Sequence, residues 1–324
     1  MHFFLIGLDY KSASLKQREE VYKKRNFIAS LLKDHLPGRA AVLTTCNRAE
    51  IYGWAHNSYE LDETIKILSV YLNDFFKTGY LKLNNKEVFL HSLRLASGLE
   101  SQLKGEIQIL EQLTGWYSQT AFPIVLKRFW NDVIVLAREI RLESGLSHQV
   151  SNIAALVIDD ILSSLKDKVS LEIALIGTGK VAELFVNQAN DNITLNFVAH
   201  KNFLKAKYLA GECSGKAKTF ADLPGLILRV DAVISATTSP HYILENKHFS
   251  GLIDKRESPL FVYDLALPRD VNPEVGISNN IVLRNQGDLT ELFEKNNKLI
   301  SKNIALAEEL THIAVYSQAE KIYA

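Results

Sequence analysis

A six-residue apolar segment, Leu171 to Ile176, runs directly into a glycine-rich turn, and this junction constrains the fold more than any other stretch of the 324-residue chain. Glycines at such a turn let the backbone approach a pyrophosphate closely. The GxGxxA spacing alone is a weak sign, and a plain strand-to-helix corner is the alternative. A second apolar segment about 20 residues on, Ile193 to Val198, matches the next strand of a nucleotide-binding unit. The junction therefore predicts a Rossmann turn whose cofactor-binding residues are Gly177, Thr178, Gly179, Lys180, Val181 and Ala182.

The end of the second segment indicates which cofactor such a domain binds. An NAD-preferring site usually carries an acid there, which holds the ribose hydroxyls and repels a 2′-phosphate. This chain has no acid at that point and instead carries Lys201, with Lys205 close by. The positive charge favours NADP over NAD, and Lys201 is the candidate contact for the 2′-phosphate.

Other segments fit an α/β fold. Asp231 to Ser235 and Leu260 to Leu265 read as buried strands followed by polar turns, where ligands of a doubly wound sheet lie. Near the N-terminus, His2 to Leu8 reads as a strand and Ser14 to His35 as a helix. The predicted organisation is an N-terminal α/β domain, a Rossmann NADP-binding domain and a long C-terminal helix, over residues 1–147, 148–287 and 288–324.

The C-terminal segment has the pattern of one long helix. No Gly or Pro occurs from Asp288 onward, and apolar residues recur mostly at spacings of three and four. A single helix of about 35 residues would be ~50 Å long, which exceeds a typical globular helix. We expect it to brace two domains or a partner.

Composition excludes several classes of protein. Lys plus Arg and Asp plus Glu both number 37, so no net charge attracts the chain to nucleic acid or a membrane surface. No apolar run approaches the ~20 residues of a membrane span. The only cysteines, Cys46 and Cys213, lie in unlike contexts, which argues against a disulfide framework or a metal site and suits a reducing cytoplasm. The expectation is a cytoplasmic protein without a bound metal.

Reactive chemistry is concentrated at Cys46. An apolar segment ends there and is followed by Asn47, Arg48 and Glu50. In an extended chain Cys46 and Arg48 would point the same way, and a guanidinium beside a thiol favours the thiolate. The alternative is a small buried hydrophobic cysteine, but the polar cluster favours a strand end that opens into a cleft.

A second informative stretch spans Val88 to Leu113. His91 lies on a predicted helix, and a glycine-containing break at Gly98 separates it from a second helix that carries polar side chains. Taken alone, His91 is more often a structural histidine, and the polar side chains a solvated helix face. Arg138 and Arg141, further on, would share one helix face that suits either solvent or a phosphate.

Three stretches resemble the glutamyl-tRNA reductase family. TTCNRAEIY, from Thr44 to Tyr52, resembles the family's nucleophile motif, with Ala49 in place of Thr. HSLRLASGLESQLKGEIQILEQ, from His91 to Gln112, is similar to a second family segment, with Glu100 for Asp and Ile107 for Pro. DLALPRDVNPEV, from Asp264 to Val275, matches a third almost residue for residue.

The resemblance implies NADPH-dependent reduction of glutamyl-tRNA to glutamate-1-semialdehyde, the first step of tetrapyrrole synthesis by the five-carbon route. It makes residues 1–147 the catalytic domain, Cys46 the nucleophile that forms a thioester and His91 a proton-transfer group. The implied partners are glutamyl-tRNA and the downstream aminomutase. The family's C-terminal dimerisation domain has no counterpart here, so the resemblance leaves the oligomeric state open. The implied substrate contacts are Thr45, Asn47, Arg48, Ser101, Glu106, Gln108 and Gln112.

Two other functions remain open at this point. An NADP-dependent dehydrogenase of a small carbonyl substrate would need neither a thioester nor tRNA. A non-catalytic relative that binds tRNA, NADP or partners of the heme pathway would be indifferent to Cys46→Ser. Cys46, Arg48 and His91 together argue against a pure binding protein, since such a protein has no chemical use for all three.

Overall fold

The computed structural model describes residues 1–118, 122–148, 152–165, 168–199 and 201–323. The strands are β1 (His2–Asp9), β2 (Ala40–Thr44), β3 (Arg48–Ala55), β4 (Tyr80–Lys82), β5 (Leu171–Ile176), β6 (Ile193–Ala199), β7 (Lys216–Thr219), β8 (Ala232–Ser235), β9 (Leu260–Asp264) and β10 (Ile281–Asn285). The α-helices are α1 (Leu15–Lys23), α2 (Arg25–His35), α3 (Ser58–Tyr71), α4 (Asn73–Thr78), α5 (Asn85–Ala96), α6 (Gln108–Tyr117), α7 (Ile124–Glu143), α8 (Ile153–Ser164), α9 (Lys180–Val186), α10 (Phe203–Glu212), α11 (Leu223–Ile227), α12 (Thr290–Leu299) and α13 (Ser301–Tyr323).

The chain divides into two compact units, the first formed by Met1–Ser151 with Glu294–Ala324 and the second by Asn152–Phe293. The first unit contains a four-stranded sheet in the order β2-β3-β1-β4, with antiparallel neighbours. Strand β1 confirms the strand predicted at His2 to Leu8 and pairs along its whole length with β3. The α/β class predicted from the sequence is confirmed.

Strand β1 separates two hydrophobic cores. Phe3 and Leu5 face a core that α5, α6 and α7 complete, while Phe4 and Ile6 face a second core. Because side chains alternate along a strand, one buried apolar run supplies both faces of the sheet. This explains why the N-terminal strand reads as continuously apolar rather than alternating.

The C-terminal segment forms two helices rather than the single helix that the apolar spacing predicts. Helix α12 ends at Leu299 and α13 begins at Ser301, and the intervening Ile300 packs into the core of the first unit. The Asn297 side chain on α12 accepts from the backbone of Lys104 at 3.0 Å and donates to that of Gln102 at 3.0 Å. These contacts place the segment against the loop that follows α5, and the long terminal helix of the prediction is present as α13.

Arg141 of α7 holds that same loop from the other side. Its guanidinium donates to the carbonyl oxygens of Ser97 at 2.9 Å, Gly105 at 2.9 Å and Glu106 at 3.1 Å, and the residue is 1% exposed. Arg141 is therefore neither a solvated residue nor a phosphate contact, although both were open from the sequence. A guanidinium that bridges three carbonyls cross-links the loop to the helix.

The second unit is a parallel six-stranded sheet in the order β10-β9-β8-β5-β6-β7. Counted from β5, this is the 3-2-1-4-5-6 order of a doubly wound dinucleotide-binding fold. The predicted Rossmann architecture is confirmed. Because the strands are parallel, the turns after β5, β6 and β8 meet at one edge of the sheet.

Gly98 offers a test of the loop that Arg141 holds. Its φ is +83°, and a Cβ there would lie 3.0 Å from both the Arg141 Nη1 and the Glu106 carbonyl oxygen. We expect Gly98→Ala to lower the free energy of unfolding by about 1–3 kcal/mol, measured by urea denaturation.

Gly115→Ala is the matched control. Gly115 lies within α6, and a Cβ there would meet nothing within 4 Å. Alanine should therefore leave stability unchanged or raise it by about 0.4–1 kcal/mol. Equal losses from both substitutions would contradict the strain assigned to Gly98.

Candidate active site

Cys46 lies at the tip of a hairpin. Thr44 of β2 pairs with Ala49 of β3, and the Thr45 N–H donates to the Arg48 carbonyl at 2.9 Å, so Cys46 and Asn47 form a two-residue loop. The shared face of Cys46 and Arg48, which assumed an extended chain, does not apply, because the chain reverses between them. Cys46 is half-buried at the loop and is not in a disulfide.

Arg48, the first residue of β3, points into the protein. It is 2% exposed; its Nη1 donates to Glu50 Oε1 at 2.9 Å and its Nη2 to the Glu100 carbonyl. Burial alone would lower the pKa of the guanidinium, but the neighbouring Glu50 carboxylate raises it instead. Each Nη atom thus uses one of its two N–H groups within the protein.

Glu50 is the centre of the polar interior and was not selected as a site residue from the sequence. It is fully buried, and its carboxylate accepts from Arg48, from the Tyr52 hydroxyl at 2.7 Å and from the Tyr80 hydroxyl. Burial would raise the pKa of Glu50, but Arg48 and His91 lower it below its ordinary range. Its signal in the sequence was an acid within an apolar strand, between Ala49 and Ile51.

His91 projects from α5 onto the same carboxylate. Its Nε2 lies 2.8 Å from Glu50 Oε1, and its ring centroid lies 5.5 Å from that of Tyr80. Since an ionised carboxylate only accepts, Nε2 carries a proton and Nδ1 is the atom left to exchange one. The His91 side chain is 7% exposed, and the contact with Glu50 both satisfies its Nε2 and fixes the orientation of its ring.

The loop after α5 contributes more of the expected contacts. Ser101 is buried and Glu106 half-buried; burial raises the pKa of the Glu106 carboxyl, while a hydrogen bond from Ser101 opposes that rise. Both polar atoms of the Gln108 side-chain amide are buried without a partner among the residues described. Such an amide can bind a polar ligand. Gln112 is exposed on α6.

Thr45 and Arg18 make hydrogen bonds to the hairpin loop. Thr45 is buried, and its Oγ1 accepts from the Asn47 N–H at 3.2 Å. Arg18 of α1 donates from Nη1 to the Cys46 carbonyl at 2.9 Å and to Asn47 Oδ1 at 3.2 Å. Arg18 was not selected as a site residue from the sequence.

The second unit contains a cleft of about 690 Å³ at the carboxyl ends of its strands. Gly177 has a φ of +109°, and a Cβ there would lie 2.5 Å from the Ala236 carbonyl oxygen, while one at Gly179 would meet nothing within 4 Å. This open, glycine-lined backbone fits a dinucleotide pyrophosphate. The predicted residues that line the cleft are Gly177, Thr178, Gly179 and Lys201.

The remaining predicted cofactor residues lie in α9. Lys180 is exposed and lies 3.7 Å from Glu183, Val181 is half-buried and Ala182 is buried. Ala182 therefore serves packing between the helix and the sheet. Sequence reasoning missed the wall formed by Phe220, Lys247 and His248, which lines the cleft together with Asn202.

Two buried carboxylates stand behind this cleft. Asp270 accepts from the Ser235 hydroxyl at 2.7 Å and from the Thr237 hydroxyl at 2.7 Å. Asp264 accepts from backbone N–H groups, including that of Val271 at 3.0 Å. Burial, aided by Asp270 and opposed by the backbone donors, raises the pKa of Asp264 to about 7. These carboxylates hold the turns after β8 and β9.

Within the described part of the chain, no helix is long and apolar enough to cross a membrane. No group of three His, Cys, Asp or Glu side chains is arranged to hold a metal ion there.

Replacing Glu50 tests the polar interior. Glu50→Gln leaves the buried Arg48 without its counter-charge, so we expect a loss of about 3–5 kcal/mol in unfolding free energy at neutral pH. Because the folded pKa is depressed, the wild-type contribution is fully present above the unfolded pKa of about 4.3 and is lost as the pH falls below it. The variant should therefore show a flatter decline of stability in acid, measured as urea midpoints against pH.

The control is Glu63→Gln, which alters an exposed carboxylate paired with Lys66 at 2.6 Å. That change should stay within about 0.5 kcal/mol of wild type. A Glu50→Gln protein as stable as this control would show that the buried network contributes little.

Comparison with known proteins identifies relatives across the chain. Residues 6–144 match the family model of the glutamyl-tRNAGlu reductase N-terminal domain, and residues 159–292 match that of shikimate / quinate 5-dehydrogenase. The glutamyl-tRNA reductase of Chromohalobacter salexigens is 30% identical over 96% of this chain and 76% of its own length. That of Carboxydothermus hydrogenoformans is 28% identical over 96% and 72%.

A third relative, from Methanococcoides burtonii, is 32% identical over 83% of this chain and 64% of its own length. The solved glutamyl-tRNA reductase of Methanopyrus kandleri is 25% identical and covers 98% of this chain and 80% of its own, with a TM-score of 0.49. Since a relative that is 30% identical is matched over three quarters of its length, the chain belongs to the glutamyl-tRNA reductase family.

Proposed function

We propose that this protein reduces the glutamyl ester of glutamyl-tRNA to glutamate-1-semialdehyde with NADPH, through a thioester on Cys46. The observation that carries the proposal is the β2–β3 hairpin, which has Cys46 at its tip and, on β3, the buried Glu50 that holds His91. The second unit adds a glycine-lined cleft suited to a dinucleotide. The family match supports the substrate, since the relatives are named for it.

The covalent step follows from the thiol. The Cys46 thiolate attacks the ester carbonyl carbon, the bond from that carbon to the ribose oxygen breaks, and the tRNA hydroxyl leaves with a proton. NADPH, when bound, supplies the hydride that brings the thioester carbon to the aldehyde level. Loss of the carbon–sulfur bond then returns the thiolate.

We assign His91 to proton transfer and the surrounding polar groups to binding of the glutamyl moiety. Glu50 holds His91 Nε2, which leaves Nδ1 to protonate the leaving ribose oxygen or to activate water. Thr45, Asn47, Ser101, Glu106 and Gln108 supply hydrogen bonds. Arg48 donates one N–H to Glu50 and one to the Glu100 carbonyl, and its remaining N–H groups are assigned to the substrate. Gln112, being exposed, is assigned to the rim.

The other two functions are not favoured. A dehydrogenase of small carbonyl compounds would match the nucleotide-binding unit alone, whereas the reductase model matches residues 6–144 as well. A purely binding relative has no use for a histidine that a buried carboxylate orients. We further propose that the product aldehyde passes to the downstream aminomutase.

Intact-protein mass spectrometry tests the nucleophile. After incubation with glutamyl-tRNA in the absence of NADPH, wild type should carry one glutamyl-sized adduct, and Cys46→Ser should carry none. Cys213→Ser is the control and should react like wild type, since Cys213 lies in the second unit, at the C-terminal end of α10. His91→Asn guards against loss of the adduct by hydrolysis. Folded wild type and His91→Asn that both lack the adduct would refute the thioester.

Lys201→Ala tests the choice of cofactor. A charge-assisted contact with the 2′-phosphate contributes about 1.5–3 kcal/mol, so the Kd for NADPH should rise roughly 10–100-fold. The Kd for NADH, which lacks that phosphate, should change less than about threefold. Cofactor fluorescence measures both. Lys207→Ala, an exposed lysine on α10 outside the cleft lining, is the control. Equal weakening of both cofactors by Lys201→Ala would remove Lys201 from the 2′-phosphate site.

A further inference from the structure

The loop that carries Cys46 is held by an arginine from a different element. Arg18 lies on α1, 28 residues before Cys46, and its Nη1 reaches both the Cys46 carbonyl and the Asn47 side chain. The residue is 5% exposed. One guanidinium nitrogen thus contacts both residues of the two-residue hairpin loop, so its position limits how the loop can move.

Burial of Arg18 at this position lowers the stability of the fold. Its Nε is buried without a hydrogen-bond partner in the part of the chain that is described. An incompletely satisfied buried cation lowers stability, and such groups concentrate at functional sites. A hydrophobic side chain of similar size would pack more cheaply.

The Arg18 guanidinium also brings a positive charge to the residue that bears the thiol, since its Nη1 lies 2.9 Å from the Cys46 carbonyl oxygen. Burial lowers the pKa of the guanidinium, and the attraction between Arg18 and Cys46 opposes that fall, ahead of the attractions to Asp9 and Glu19. The attraction is mutual, so it also favours the thiolate of Cys46 over the thiol. Arg48, which follows Cys46 by two residues in sequence, is instead paired with Glu50.

We propose that Arg18 is the positioning residue of the nucleophile, which fixes the Cys46–Asn47 loop and maintains Cys46 as a reactive thiolate. This inference rests on the proposed role of Cys46. Two acids, Glu19 from α1 and Asp9 from β1, also attract the Arg18 guanidinium. Asp9 also accepts from the backbone N–H groups of Lys11 and Ser12, which disperses part of its charge.

The test is the pH dependence of Cys46 alkylation by iodoacetamide. Cys213→Ser leaves Cys46 as the only thiol, because the chain has two cysteines. In that background, Arg18→Gln and Arg18→Met should each raise the midpoint of the rate profile by about 0.5–1 pH unit, a ~3–10-fold loss of thiolate at neutral pH. Arg18→Met suits a buried site and guards against a folding defect of the glutamine variant.

Two control variants distinguish an effect of the charge at position 18 from an effect of altered structure. Arg18→Lys retains the positive charge and should restore the midpoint to within about 0.3 pH unit of wild type. Lys16→Gln removes an exposed charge from the same helix and should leave the midpoint unchanged. If the neutral variants at position 18 share the wild-type midpoint, the proposal is wrong.

The measurement uses neither tRNA nor NADPH, so its outcome is independent of the proposed reaction. A shifted midpoint in a protein that forms no glutamyl adduct would refute the thioester function and leave the role of Arg18 on the thiol intact. If the protein forms the adduct but substitution of Arg18 leaves the midpoint unchanged, the thioester function is supported and the proposed role of Arg18 is wrong.

Discussion

The carboxylate of Glu50 is the interaction on which the first unit depends. A fully buried carboxylate is costly unless every lone pair is used and a counter-charge is near. Glu50 meets that condition with Arg48 from its own strand, Tyr52 and Tyr80 from the sheet, and His91 from α5. One carboxylate thereby joins the sheet to the helix that carries the proposed proton-transfer group.

The consequences extend along Arg48 to the loop after α5. The Arg48 Nη2 contacts the Glu100 carbonyl, and Arg141 contacts three further carbonyls of the same loop from α7. Two buried arginines thus hold a segment that has little regular structure of its own. That segment carries Ser101, Glu106 and Gln108, so these proposed substrate contacts derive their positions from two buried charges.

Arg48 and Arg18 have different roles around the Cys46–Asn47 loop. Arg48 is neutralised by Glu50 and stabilises the interior, whereas Arg18 reaches the Cys46–Asn47 loop. In the second unit, the parallel strand order positions the cleft residues, because it brings the turns after β5, β6 and β8 to one edge of the sheet. There the buried Asp270 holds the turn after β8 through Ser235 and Thr237, as Glu50 holds the sheet to α5.

The sequence alone determined the α/β class, the Rossmann junction at Gly177 and the family resemblance, because local apolar spacing and short motifs encode these features. The same resemblance indicated Cys46 and His91 as the proposed catalytic residues. Tertiary structure decided what the charged residues do. The hairpin at Cys46–Asn47 paired Arg48 with the buried Glu50, and α1 brought Arg18 to the loop across 28 residues. Glu50 meets His91 across 41 residues. Such pairings depend on which elements pack together, and the spacing of residues along a chain does not specify that.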